Sequence, residues 1–102
     1  MTQFNDRERA FEAKFAHDEE MQFKADARRN KLVGLWAAEL MGHPDPEAYA
    51  KEVIAADFEE AGHEDVYRKL AGDLGDKATE HEIRQMLSEK MIEAKEQLLA
   101  EE

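Results

Sequence analysis

Four histidines, many carboxylates and one serine are the residues of this chain whose types suit catalysis or metal binding. His17, His43 and His63 each sit beside a predicted break, and none is paired with a second ligand at the spacing that sets two donors on one helix face. His81 and Glu82 fall in the first turn of a predicted helix, where a carboxylate serves as a cap. No HExxH or paired ExxH pattern occurs, so the histidines read as solvent-exposed side chains and not as a zinc or di-iron site. Asp57, Glu59 and Glu60, and likewise Glu64 and Asp65, read as solvated helix faces and caps. Ser88, the only serine, lies inside a predicted helix between Leu87 and Glu89, a poor setting for a nucleophile. Gly72 and Gly75 lack the following Lys and Ser or Thr of a phosphate loop. The absence of cysteine excludes disulfides, thiolate metal sites and a cysteine nucleophile. Neither an enzyme nor a cofactor is expected.

The residue pattern points to binding instead. Residues 1–31 hold seven acids and seven bases, so the whole formal charge of −11 lies in the rest of the 102-residue chain. The neutral part carries Phe4, Phe11, Phe15 and Phe23, four of the five phenylalanines. On a helix turning about 100° per residue, Phe4, Phe11 and Phe15 fall within roughly 40° of one another, a narrow aromatic stripe interrupted by Glu8. Such a stripe can dock on this protein's own bundle or on a partner, and spacing supports both equally. Arg28, Arg29 and Lys31 read as a polar turn leading into the core, their long stems covering apolar surface. The acidic remainder argues against nucleic acid as a partner and favours a basic or mixed protein.

The elements that must position these residues are helical. At this length one domain with a modest core is expected, and the scarcity of Val, Ile, Thr, Tyr and Trp disfavours strands. A first amphipathic segment spans about Asn5 to Ala16, and Phe23 falls about 100° out of phase with Phe4, which places a break at His17 to Glu20. A second helix, about Met21 to Met41, becomes apolar all round, since only Gly34 and Glu39 are not hydrophobic between Leu32 and Met41. Trp36, with Leu32, Leu35 and Leu40, is the expected centre of the core. Gly42 ends that helix. Asp45 as N-cap and Pro46 at the first position open a third, running to about Ala61, with Gly62 as its stop. Glu64 to about Leu74 is a shorter helix with Val66, Tyr67, Leu70 and Leu74 at helical spacing. Thr79 and Glu82 form a capping box for the last, whose Ile83, Leu87, Met91, Ala94 and Leu98 make a regular stripe. No apolar run approaches a membrane span and the polar start lacks a signal-peptide core, so a cytoplasmic protein without direct membrane insertion is expected.

The run Asp6-Arg7-Glu8-Arg9-Ala10-Phe11-Glu12-Ala13-Lys14-Phe15-Ala16-His17-Asp18-Glu19-Glu20 resembles the zeta subunit family, bacterial inhibitors of the F-type ATP synthase. The likeness continues at Phe23, Lys24, Ala27 to Lys31, Leu35 to Ala38, Tyr49 to Val53, Asp57 to Gly62, Asp65, Val66 and His81 to Arg84. The resemblance implies an all-α four-helix bundle, residues 21–102, carrying a mobile amphipathic N-terminal inhibitory segment, residues 1–20. It also implies that this segment wedges between an alpha and a beta subunit of the catalytic head, near the gamma stalk, and blocks rotation in the hydrolytic direction. Phe4, Phe11 and Phe15 would be the anchors, while Arg7, Arg9 and Lys14 would pair with acids of the partner. The location implied is the cytoplasmic face of the membrane-bound enzyme. The alternative is a small helical regulatory protein whose bundle binds a ligand, weak nucleotide binding being the candidate, with the N-terminus as its lid.

Overall fold

The computed structural model describes residues 19–57 and 64–101. Within them lie four helices: α1 (Glu19–Met41), α2 (Pro46–Ala56), α3 (Glu64–Leu74) and α4 (Glu80–Ala100), with a 3-10 turn over Gly75–Lys77. The expected extension of α2 through Phe58 to Ala61, its Gly62 stop, and the first segment with its break at His17 and Asp18 lie outside the described residues. Glu19 and Glu20, placed in that break from sequence, form the acidic first turn of α1, where carboxylates complement the helix dipole.

Local chemistry sets the helix ends. Gly42 takes φ +67°, the left-handed stop after α1. The Asp45 side chain accepts from the Ala48 amide at 3.2 Å, and Pro46 follows where its missing N–H costs nothing. At α4 both halves of the capping box form: Glu82 N donates to Thr79 Oγ1 at 3.1 Å, and Thr79 N donates to Glu82 Oε1 at 3.0 Å.

α1 is the spine of the bundle, packed along α2 on one side and α4 on the other. The main core joins Val33, Ala37 and Ala38 of α1 to Tyr49 and Val53 of α2, Val66, Leu70 and Leu74 of α3, Ala78, and Ile83 of α4. A smaller cluster, Met21 and Ala25 with Leu98, joins the start of α1 to the end of α4, so these two helices run antiparallel. The expected stripe of α4 faces inward, Ile83, Ala94 and Leu98 being buried and Leu87 and Met91 partly so. Among the described residues, no helix is long and apolar enough to cross a membrane.

The centre of the core differs from expectation. Trp36, Leu32 and Leu35 are only partly buried, and Leu40 is 43% exposed. The reason is how closely α1 and α2 approach. A Cβ added to Gly34 would stand 2.8 Å from the Ala50 Cα and 3.3 Å from a Val53 methyl. Only small side chains fit such a seam, so Val33, Ala37 and Ala38 fill it and the bulky residues are displaced to its margin.

Gly34→Ala is therefore expected to destabilise the fold by about 1–3 kcal/mol despite the better helix propensity of alanine, because backbone must move. Gly72, in α3 with nothing within 4 Å of an added Cβ, is the control: Gly72→Ala should stabilise by about 0.5–1 kcal/mol. Thermal melting followed by circular dichroism checks both signs.

Candidate partner-binding surface

The residues expected to contact a partner, Phe4, Arg7, Arg9, Phe11, Lys14 and Phe15, lie outside the described residues. What the structure describes is the part of the chain that follows them, beginning with the first half of α1.

Two polar ties fix α1 to its neighbours. Arg28 donates to both oxygens of Glu101 at 2.7 and 3.0 Å and to Gln97 Oε1 at 2.8 Å, holding α1 to the end of α4. The hydrogen bond from Arg28 holds the Glu101 carboxyl below its ordinary range. Behind it, Arg29 and Asn30 are 5% and 1% exposed. Arg29 Nε donates to Asn30 Oδ1 at 2.9 Å, Asn30 Nδ2 donates to Asp57 Oδ2 at 3.0 Å, and the Arg29 guanidinium lies 4.0 Å from the same oxygen. Burial lowers the pKa of Arg29, opposed by the charges of Asp26 and Asp57. Removing one partner from such a buried pair typically costs about 3–5 kcal/mol, so this network is a fixed joint between α1 and the end of α2. The basic cluster thus divides into a bidentate clamp, a buried charge and, at Lys31, an exposed cation. Sequence reasoning took all three for stems on a surface.

Between these ties runs an open groove of about 660 Å³. Met21, Phe23, Ile54 and Leu98 give it an apolar lining, Lys24 and Lys31 add positive charge, and the Arg28–Glu101 pair borders it. Phe23 is 56% exposed there.

A second polar cluster joins α2 to α3. The hydroxyl of Tyr49, a residue only 3% exposed, donates to Asp73 Oδ2 at 2.8 Å. Lys69 Nζ donates to the same oxygen at 3.0 Å and lies 5.0 Å from the Tyr49 ring centre. Burial pushes the Tyr49 phenol far up, and the bond to Asp73 adds to it. Desolvation opposes ionisation of Asp73, yet the bonds from Tyr49 and Lys69 outweigh it and hold the carboxyl below its usual value. Across the bundle, Arg84 clamps Glu64 at 3.1 and 3.3 Å and stacks 4.0 Å from the Tyr67 ring centre.

Nothing in these clusters resembles a reaction centre. His43 is held locally, its Nδ1 accepting from the Asp45 amide at 3.0 Å and its ring 5.5 Å from that of Tyr49. His81 and Ser88 are exposed, and Gly72 is helical. Among the described residues no three His, Asp or Glu side chains gather as a metal site. His17 and His63 lie outside those residues.

Comparison with known proteins supplies what the geometry leaves open. The family model for ATPase inhibitor subunit zeta matches residues 1–97. The chain belongs to that family. Its members are regulatory subunits named for inhibiting an ATPase, and the enzyme they regulate is accordingly the partner. Three chains of solved structures also match. One, described as the solution NMR structure of a protein, is 57% identical and superposes with a TM-score of 0.74, covering 80% of this chain and 99% of its own. A search of curated proteins gives no match.

The Tyr49 cluster has a pH signature. Because the folded phenol pKa is raised, its contribution is fully present below the ordinary tyrosine value of about 10 and is lost as the pH rises above it. Tyr49→Phe should cost about 1.5–3 kcal/mol at pH 7, the range for a hydrogen bond to a charged group. It should also flatten the alkaline fall. Urea unfolding at pH 7 to 11 checks both.

Proposed function

We propose that this protein inhibits ATP hydrolysis by an F-type ATP synthase, with residues 1–20 as the inhibitory segment and the bundle, residues 21–102, as its carrier. The observation that carries this reading is the extent of the family match, which begins at residue 1 and takes in the charge-balanced aromatic segment. In this mechanism the segment enters the catalytic head between an alpha and a beta subunit beside the gamma stalk. Phe4, Phe11 and Phe15 bury against the head while Arg7, Arg9 and Lys14 pair with its acids. A wedge there opposes rotation in the hydrolytic direction. The acidic bundle stays outside, at the cytoplasmic face of the membrane, and limits insertion. Aromatic anchors with mixed charges suit a segment that gains order on binding.

The test is a titration of ATP hydrolysis by the purified cognate catalytic head. Phe11→Ala with Phe15→Ala should raise the half-inhibiting concentration by about 30-fold or more, as loss of two anchors worth about 1–2 kcal/mol each requires. Inhibition should also weaken as salt is raised from 50 to 300 mM, because the pairs of Arg7, Arg9 and Lys14 are screened. Undiminished inhibition by the double variant would remove the anchor assignment. Saturable binding of ATP or ADP by the bundle, with no inhibition, would favour the ligand-binding alternative.

A further inference from the structure

The groove along the first half of α1 gathers positive charge in a molecule whose formal charge is −11. α1 supplies most of its lining, with Ile54 from α2 and Leu98 and Glu101 from α4. Lys24, Arg28 and Lys31 follow one another at steps of four and three residues, so they share one face of α1. Beside them Met21, Phe23, Ala27, Ile54 and Leu98 present apolar surface. Arg28 is engaged by Glu101 and Gln97, which leaves Lys24 and Lys31 as the exposed cations of the groove. The pair that Lys24 makes with Glu20 at 3.2 Å is itself exposed, and exchanging such a contact costs little. The volume of about 660 Å³ falls within the range of roughly 300–1,000 Å³ for small-molecule sites, whose usual lining is apolar with a few polar groups. From Met21 to Lys31 the groove follows α1 for about 15 Å at 1.5 Å per residue, the extended length of about 12 carbons at roughly 1.25 Å each.

We propose that this groove is a binding site for a long-chain carboxylate, a free fatty acid anion, with its carboxylate at Lys31 and its chain lying along Ala27 and Phe23 toward Met21 and Leu98. The two parts of such a ligand answer the two parts of the lining. Lys31, with Arg28 one turn away, offers charge to the head, while the apolar side chains take the tail out of water. A single negative charge suits the site better than several, because each further one is repelled by the acidic remainder of the bundle. Bound there, the acid touches α1, α2 and α4 together and stabilises their packing by mass action. The site lies on the bundle, so the proposal stands apart from the inhibitory reading of residues 1–20.

The test is a titration of the isotope-labelled full chain with sodium dodecanoate below the concentration at which it forms micelles. Saturable amide shifts are expected at Phe23, Ala27, Ile54 and Leu98, with a rise in melting temperature. Affinity should grow about two- to fourfold per methylene from octanoate to dodecanoate and level off beyond the length of the groove. Lys24→Glu with Lys31→Glu should weaken binding about tenfold or more, since two facing charges are reversed. Both lysines are exposed, so the variant's bundle spectrum should be preserved. Dodecyltrimethylammonium, the same chain with a positive head, separates local charge from overall charge: the groove favours the acid, whereas the net charge of −11 favours the ammonium. Tighter binding of the ammonium would overturn the proposal, as would undiminished binding by the double variant. Dodecanoate shifts that are absent, or confined to other surfaces, would overturn it as well. Shifts at the same four residues with ADP and none with dodecanoate would overturn it in favour of a nucleotide. Shifts there that follow protein concentration alone, with none from dodecanoate, would overturn it in favour of a second copy.

Discussion

Everything in this bundle depends on how closely α1 can approach α2. Gly34 lies against the Ala50 backbone at a distance no side chain could enter, and the seam is continued by Val33, Ala37 and Ala38. That contact makes α1 a fixed spine: its second half is held in the main core, and its first half extends beside the last turns of α4. Small residues at the seam forgo buried apolar area and gain packing of backbone against backbone, which leaves little freedom to slide or rotate. The Arg29–Asn30–Asp57 network then locks the end of α2 to the middle of α1, and the Arg28–Glu101 clamp locks the end of α4. These contacts hold the middle of α1 rigidly against both neighbours.

The charge distribution complements this mechanical division. The helices beyond Lys31 carry the entire excess of negative charge, while the leading 31 residues are neutral overall. Like charges on the bundle repel acidic surfaces, and the balanced charges of the leading residues do not.

Features set by local chemistry were legible in the sequence. Gly42, Asp45 with Pro46, and Thr79 with Glu82 act within three or four residues of themselves, so each helix end follows from neighbours along the chain. The stripe Ile83, Leu87, Met91, Ala94 and Leu98 was equally clear, because a single face is apolar. In α1 every face is apolar near Trp36, and periodicity could not say which face meets α2. The size of the residues suggested Trp36, whereas the close approach at Gly34 selected Val33, Ala37 and Ala38. The polar ties were invisible for a related reason: Arg28 and Glu101, or Tyr49 and Asp73, are distant in sequence, and only packing brings them together. As for the binding residues, the stripe of Phe4, Phe11 and Phe15 was legible as a surface, but spacing gave it no owner. The family supplied the partner.

In the proposed function a self-sufficient bundle carries an inhibitory segment at its head. It is tested most directly by comparing the full chain with a version starting at Met21, each in ATP hydrolysis by the purified catalytic head and in thermal melting. The shortened protein should melt cooperatively, with the core of the full chain intact, and should no longer inhibit. Inhibition retained by the shortened protein would contradict it and move the function to the surface of the bundle.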